Sequence, residues 1–135
     1  MKYIMMLGLF FGLFTLQAQE NSEKVSFESF LSPGQLFSFE NKSVRFIKVV
    51  SDSRCPKDVT CIWAGEAKVL ISISENGKEI EEKIISIRDA NNLILNFEDS
   101  EMLYSLNAIE LYPYPTSKHK IEDSEYCLKI QFSKE

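Results

Sequence analysis

The sequence predicts an all-β fold: a single-domain antiparallel β-sandwich, Ig-like in size, of seven to eight strands, with a small barrel as the alternative. Three observations predict it. Apolar residues recur with period two along the chain beyond residue 24. Turn-forming clusters interrupt that alternation every ~8–12 residues, the spacing of a sandwich or barrel. No segment sustains the 3.6-residue period of an amphipathic helix.

The elements follow in order. Residues 25–30 alternate raggedly as a first strand, and Ser32-Pro33-Gly34 turns the chain. Leu36 to Phe39 is a short second strand, closed by Glu40-Asn41-Lys42-Ser43. Asn41-Lys42-Ser43 also fits a glycosylation acceptor, but a turn explains the triplet. Val44 to Val50 is rich in β-branched residues and too short for a good helix. Ala67, Val69, Ile71 and Ile73 alternate with Lys68, Leu70, Ser72 and Ser74. Asn76-Gly77 follows, and both residues tolerate the positive φ that a type I′ hairpin turn demands. The partner strand is Lys78 to Ile87, with Ile85 and Ile87 on one face. After a loop at 89–92, Leu93, Leu95 and Phe97 alternate, and a helical turn is expected near 100–103. Tyr104 to Tyr112 reads as a strand whose apolar phase slips near Asn107, where a β-bulge would reconcile the halves. Pro113 and Pro115 end the pairing, since neither can donate a ladder hydrogen bond. Thr116 to Ser124 is a polar loop, and Tyr126, Leu128, Ile130 and Phe132 mark a last strand.

The 135-residue chain opens with Lys2, an apolar run from Ile4 to Leu16, then Gln17-Ala18-Gln19. That is the build of a secretory signal peptide, too short to cross a bilayer, which takes about 20 residues. Residues 1–19 are therefore assigned as signal and 20–135 as one domain, exported to the periplasm or outside and without a transmembrane helix after cleavage. Without Lys2, 14 of the 15 basic side chains face 20 acidic ones, a net charge of −6. Such a chain has no electrostatic reason to bind nucleic acid.

The chemistry-bearing stretch is SRCPKDVTCIWAG, residues 53–65, which holds two of the three cysteines and the only tryptophan. A Cys/His metal site would draw on Cys55, Cys61, Cys127 and His119, but C-x5-C departs from the usual C-x2-4-C of zinc sites, and His119 sits between two lysines. A redox dithiol needs C-x-x-C opening a helix. No G-x-S-x-G elbow or phosphate-cradling glycine loop occurs. No catalytic, metal or cofactor-binding residue is assigned. In an oxidising compartment Cys55 and Cys61 are expected to form a disulfide that clamps the loop. A ring of about seven residues is stabilised by roughly 2.4 kcal/mol in the chain-entropy model. Pro56 stiffens this loop, Trp63 is expected to lie across the disulfide and bury both, and Gly65 is assigned a structural role. Cys127 is then the odd thiol, free or paired between chains.

Asp52-Ser53-Arg54-Cys55-Pro56, Val59, Cys61, Trp63 and Ala64-Gly65-Glu66-Ala67, with the hairpin and Tyr112-Pro113-Tyr114-Pro115 after them, resemble a family of small exported bacterial proteins and lipoproteins sharing D-S-R-C-P-x2-V-x-C-x-W-x-G. The resemblance implies export and a β domain and no reaction, ligand or cofactor. Its specific part is residues 52–67. The chain departs from the lipoprotein members in having no lipobox cysteine, and Cys127 lies outside the pattern.

A sandwich carries its loops at two ends, where binding resides. The expectation is a non-enzymatic binding or interaction module using the clamped loop, with Arg54, Lys57, Asp58 and Ile62 on its surface and another exported or envelope protein as partner. The alternative is a small Cys/His metal-binding protein or a metal-dependent hydrolase. Tyr112 and Tyr114 are expected to pack beside their prolines at a sheet end.

Overall fold

The period-two pattern is realised as two stacked sheets. The computed structural model describes residues 24–88, 92–99 and 101–135. The strands are β1 (Val25–Leu31), β2 (Leu36–Phe39), β3 (Lys42–Asp52), β4 (Ala67–Glu75), β5 (Lys78–Ile87), β6 (Asn92–Asp99), β7 (Met102–Tyr112) and β8 (Cys127–Lys134). They form two four-stranded antiparallel sheets, ordered β1-β8-β7-β6 and β2-β3-β4-β5, and the pair is a sandwich with open edges. Among the described residues the only helical element is a 3-10 turn at Asp123–Glu125, and no helix is long and apolar enough to cross a membrane. The predicted signal segment, residues 1–19, lies outside the described residues.

The core is the set of alternating side chains. Ala67, Val69, Ile71 and Ile73 of β4 and Tyr126, Leu128, Ile130 and Phe132 around β8 are all buried. Each fully buried large aliphatic or aromatic side chain contributes about 1.5–3 kcal/mol. At the hairpin end Phe39 stacks on Phe97 at 5.6 Å, and Phe97 on Tyr104 at 4.8 Å, joining the two sheets. Asn76 and Gly77 take φ of 53° and 78°, as the type I′ turn requires.

Bulges account for the departures from simple alternation. In β7 the register shifts between Ala108 and Glu110, two residues beyond the slip read near Asn107. Tyr104, Leu106 and Ala108 therefore point inward before the bulge, and Leu111 after it. In β6 a shift between Leu93 and Leu95 turns Ile94 into the core and leaves Leu93 exposed, against the phase expected there, whereas Leu95 and Phe97 pack against the core as expected. β3 carries two such shifts, at Phe46/Lys48 and Val49/Ser51. Of the turn expected near 100–103, residue 100 lies outside the described residues, and 101–103 are not helical: Asp99 pairs with Met102, and Glu101 takes a φ of 67°.

Candidate functional site

The connection between β3 and β4 emerges at the sandwich end opposite the aromatic cluster. Its base extends the β3–β4 pairing: Ser53 N–H donates to Glu66 O at 2.9 Å and Cys55 N–H to Ala64 O at 3.0 Å. The Ser53 hydroxyl donates to Glu66 O and accepts from Glu66 N–H. Gly65 is required at this base. Its φ is +68°, and a Cβ there would meet the Ser53 carbonyl oxygen at 1.8 Å.

Cys55 and Cys61 are joined as a disulfide, with a Cα–Cα separation of 5.9 Å, within the window such a bridge needs. The two thiols on which a Cys3His metal site depends are thus bonded to each other. Among the described residues no cluster of three or more metal-ligating side chains occurs. His119 contacts Glu125 instead, at 2.9 Å. Cys127 is a free thiol, half buried and opposite Tyr112. Burial pushes its pKa up, away from nucleophilic character.

The loop is fixed to the rest of the fold chiefly by Arg54. This side chain was expected at the surface, but it is 9% exposed. Its Nε and Nη2 donate to the two oxygens of Asp52, both at 2.8 Å. Nη1 donates to the Leu111 carbonyl at 2.6 Å and Nη2 to that of Pro113 at 3.0 Å. The Tyr114 ring lies over the guanidinium at 5.0 Å. The physical reason is geometric. β6 pairs with β7 only as far as Ala108 and β7 ends at Tyr112, so a planar fork of donors can reach the Leu111 and Pro113 carbonyls at this end of the strand. Tyr126 completes the cluster, its hydroxyl donating to Asp52 at 3.0 Å. Burial pushes the Asp52 carboxyl up, but the Arg54 guanidinium and the Tyr126 hydroxyl outweigh it and hold it below its ordinary value. The reciprocal effect, led by burial, raises Tyr126 to about 12.

The remaining anchors run to the segment after β7. Lys57 N–H donates to Pro115 O at 3.0 Å, and the Lys57 ammonium sits 4.9 Å from the Tyr114 ring centre. The Asp58 carboxylate accepts from the Ser117 N–H at 2.8 Å and also from the Ser117 hydroxyl. The Ser117 hydroxyl is the main reason that carboxyl lies below its usual range. Lys57 and Asp58 are exposed, as expected of surface residues. Tyr112 and Tyr114 make an edge contact at 6.5 Å. Glu110 accepts from the Tyr112 hydroxyl at 2.6 Å, and the hydroxyls of Tyr112 and then Tyr114 hold its carboxyl low.

With its base so anchored, the tip projects outward. Ile62 is 95% exposed and Trp63 81%, and Val59 is also exposed. Trp63 therefore does not cover the disulfide, contrary to the expectation. The short 55–61 ring bends the chain so that residues 62 and 63 leave it pointing to solvent, and Cys61 stays exposed beside them. Arg88 stands near the base of the loop, its side chain 71% exposed and 3.9 Å from Glu66. Glu66 also takes Lys68 at 3.5 Å and accepts a bond from the Ser86 hydroxyl.

Sequence reasoning placed the disulfide, Lys57, Asp58 and Ile62. It missed Asp52, Tyr126, Glu110 and Arg88, which the fold brings to the same end of the sandwich. Asp52 was legible as an acid two residues from Arg54. Nothing local marks Tyr126, 74 positions away. Compared with protein-family models, curated proteins and solved structures, the chain matches none.

Proposed function

We propose that the protein is an exported, non-enzymatic binding module whose contact face is the disulfide-clamped loop 53–65. The observation that carries this reading is the exposure of Ile62 and Trp63 on a loop held by a disulfide, an ion pair and several hydrogen bonds. Leaving two large apolar side chains in water forgoes burial worth about 1.5–3 kcal/mol each. Tryptophan is among the residues that dominate binding energy where an interface buries it. The anchors also lower the ordering cost of association, because the loop is already in one conformation. Arg54 has a different part from the one expected of it: it positions the loop and does not touch the partner. Lys57 and Asp58 flank the contact face.

The test compares the wild-type protein with an Ile62→Ser/Trp63→Ser variant as immobilised bait for envelope extract. The variant is expected to melt at the wild-type temperature, since neither side chain is buried, and to lose the bound material. Retention of every bound component by the well-folded variant would remove the loop from the contact face.

A further inference from the structure

Two cavities adjoin at the base of the loop. One, about 380 Å³, is lined among others by Arg54, Gly65, Arg88, Glu110 and Tyr114. The other, about 280 Å³, is lined by Ser53, Trp63, Glu66 and Arg88, and both share Ala64 and Gly65. Together they make a groove that runs from Trp63 at one end to Tyr114 at the other. Its middle is bordered by the small residues Ala64 and Gly65 and by the Arg88 side chain, which line both cavities.

The lining decides what fits. Two of its charges are paired: Arg54 with Asp52, which lies outside the lining, at 2.8 Å, and Arg88 with Glu66 at 3.9 Å. The lining itself thus holds two guanidiniums, Arg54 and Arg88, and two carboxylates, Glu66 and Glu110. An acidic ligand would face Glu66 and Glu110, and a basic one Arg54 and Arg88. A wholly apolar ligand would strip water from these ions and return no hydrogen bond, at a desolvation cost. What matches is a neutral molecule with hydroxyls that both donate and accept, and with an apolar face for an aromatic ring. Arg88 offers donors in a planar fork. Glu110 is an acceptor already oriented by the Tyr112 hydroxyl. Trp63 supplies a broad exposed ring.

We propose that this groove binds a neutral carbohydrate chain, with a sugar ring stacked on Trp63 and the hydroxyls of its neighbour shared between Arg88 and Glu110. This rests on the reading of the loop as the contact face and names the ligand class for it. Trp63 is the only tryptophan in the chain, so its emission reports directly on the groove.

The experiment titrates the intact protein with cellohexaose, mannohexaose and chitohexaose, and separately with polyglutamate and polylysine, following tryptophan emission. The expected result is a saturable shift with at least one hexasaccharide and none with either charged polymer. Arg88→Ala and Glu110→Gln are each expected to weaken that saccharide about tenfold, the loss of one charge-assisted hydrogen bond, with melting temperature unchanged for Arg88→Ala. Three results overturn the inference: silence with all three saccharides, saturation by a charged polymer in their place, or binding indifferent to both variants. If the saccharides fail while bait capture still depends on Ile62 and Trp63, the carbohydrate inference alone falls. If capture is independent of them too, the loop reading falls with it.

Discussion

Replacing Arg54 by alanine tests the anchor of the clamped loop. The substitution removes four hydrogen bonds at once, two to Asp52 and one each to the carbonyls of Leu111 and Pro113. It also leaves the Asp52 carboxylate, 10% exposed, without a counter-charge. Breaking one side of a buried ion pair costs about 3–5 kcal/mol. That is a large share of the roughly 6–17 kcal/mol expected of a domain of this length, and it lowers the melting temperature by roughly 12–20 °C. The pH dependence identifies the cause. In the wild type the Asp52 pKa is depressed, so its contribution is present above the unfolded value of about 3.9 and is lost as pH falls through the folded value. In Arg54→Ala burial acts without the guanidinium, and Asp52 is expected to lie above its ordinary value. The carboxylate then destabilises the neutral-pH fold, and protonation relieves it. The gap between variant and wild type should therefore begin to narrow above about pH 4, as the variant's raised carboxyl protonates, and narrow further below it, as the wild type loses its contribution. Urea unfolding followed by far-UV circular dichroism at neutral and acid pH measures this. Tryptophan emission would not serve, because Trp63 is already 81% exposed when folded. A variant within about 1 kcal/mol of wild type, with a pH-independent gap, would refute the argument that a buried charge network holds the loop.

Gly65→Ala should destabilise far more than Gly77→Ala: both take positive φ, but only at Gly65 does the new Cβ meet backbone, whereas Gly77 faces open space. The left-handed conformation alone costs roughly 1–2 kcal/mol, so the excess at Gly65 read from paired urea melts is the clash, and equal losses would contradict it. Tyr126, raised from 10.0 to about 12, contributes stability that is fully present below pH 10.0 and lost as pH rises through about 12. Tyr126→Phe should flatten that alkaline limb and remove the last phenolate to appear in an ultraviolet titration. Alkylation without reductant should modify Cys127 slowly in the native protein and promptly after unfolding, adding one group in all. Modification of three thiols would contradict the Cys55–Cys61 bridge. Cys55→Ser/Cys61→Ser should lose roughly 2.4 kcal/mol by the loop-entropy argument while keeping both sheets.

Much of the fold was legible because its determinants are local. Side-chain direction in a strand has period two, so Ala67 to Ile73 and Leu128 to Phe132 declared their buried faces without reference to a partner. Asn76-Gly77 declared a hairpin because few residue pairs tolerate two consecutive positive φ angles. The bulge in β7 was legible as a phase slip. Its position was not, since the shift at Ala108/Glu110 depends on the registers that β8 imposes. Only the start of β6 was misread, for the same reason: Leu93 and Ile94 are both apolar, and pairing with β7 decides which of them faces the core, while Leu95 and Phe97 keep the expected side.

For the candidate site the division is sharper. Cysteine spacing determined the clamp, because a bridge across five intervening residues needs little but proximity and an oxidising setting. The composition determined a net-acidic chain, and the turn residues determined where its strands stop. Whether a given polar residue points to solvent or into a cluster was settled only by what the fold set beside it. Arg54 lies in a loop motif and reads as a surface cation, yet the end of β7 supplies two carbonyls and Asp52 supplies a carboxylate within reach. Trp63 reads as a cover for the disulfide, yet it is 81% exposed beside the ring closed by Cys55 and Cys61. Burial of a polar or aromatic side chain depends on partners distant in sequence, and those distances are created by sheet order, which no local pattern encodes.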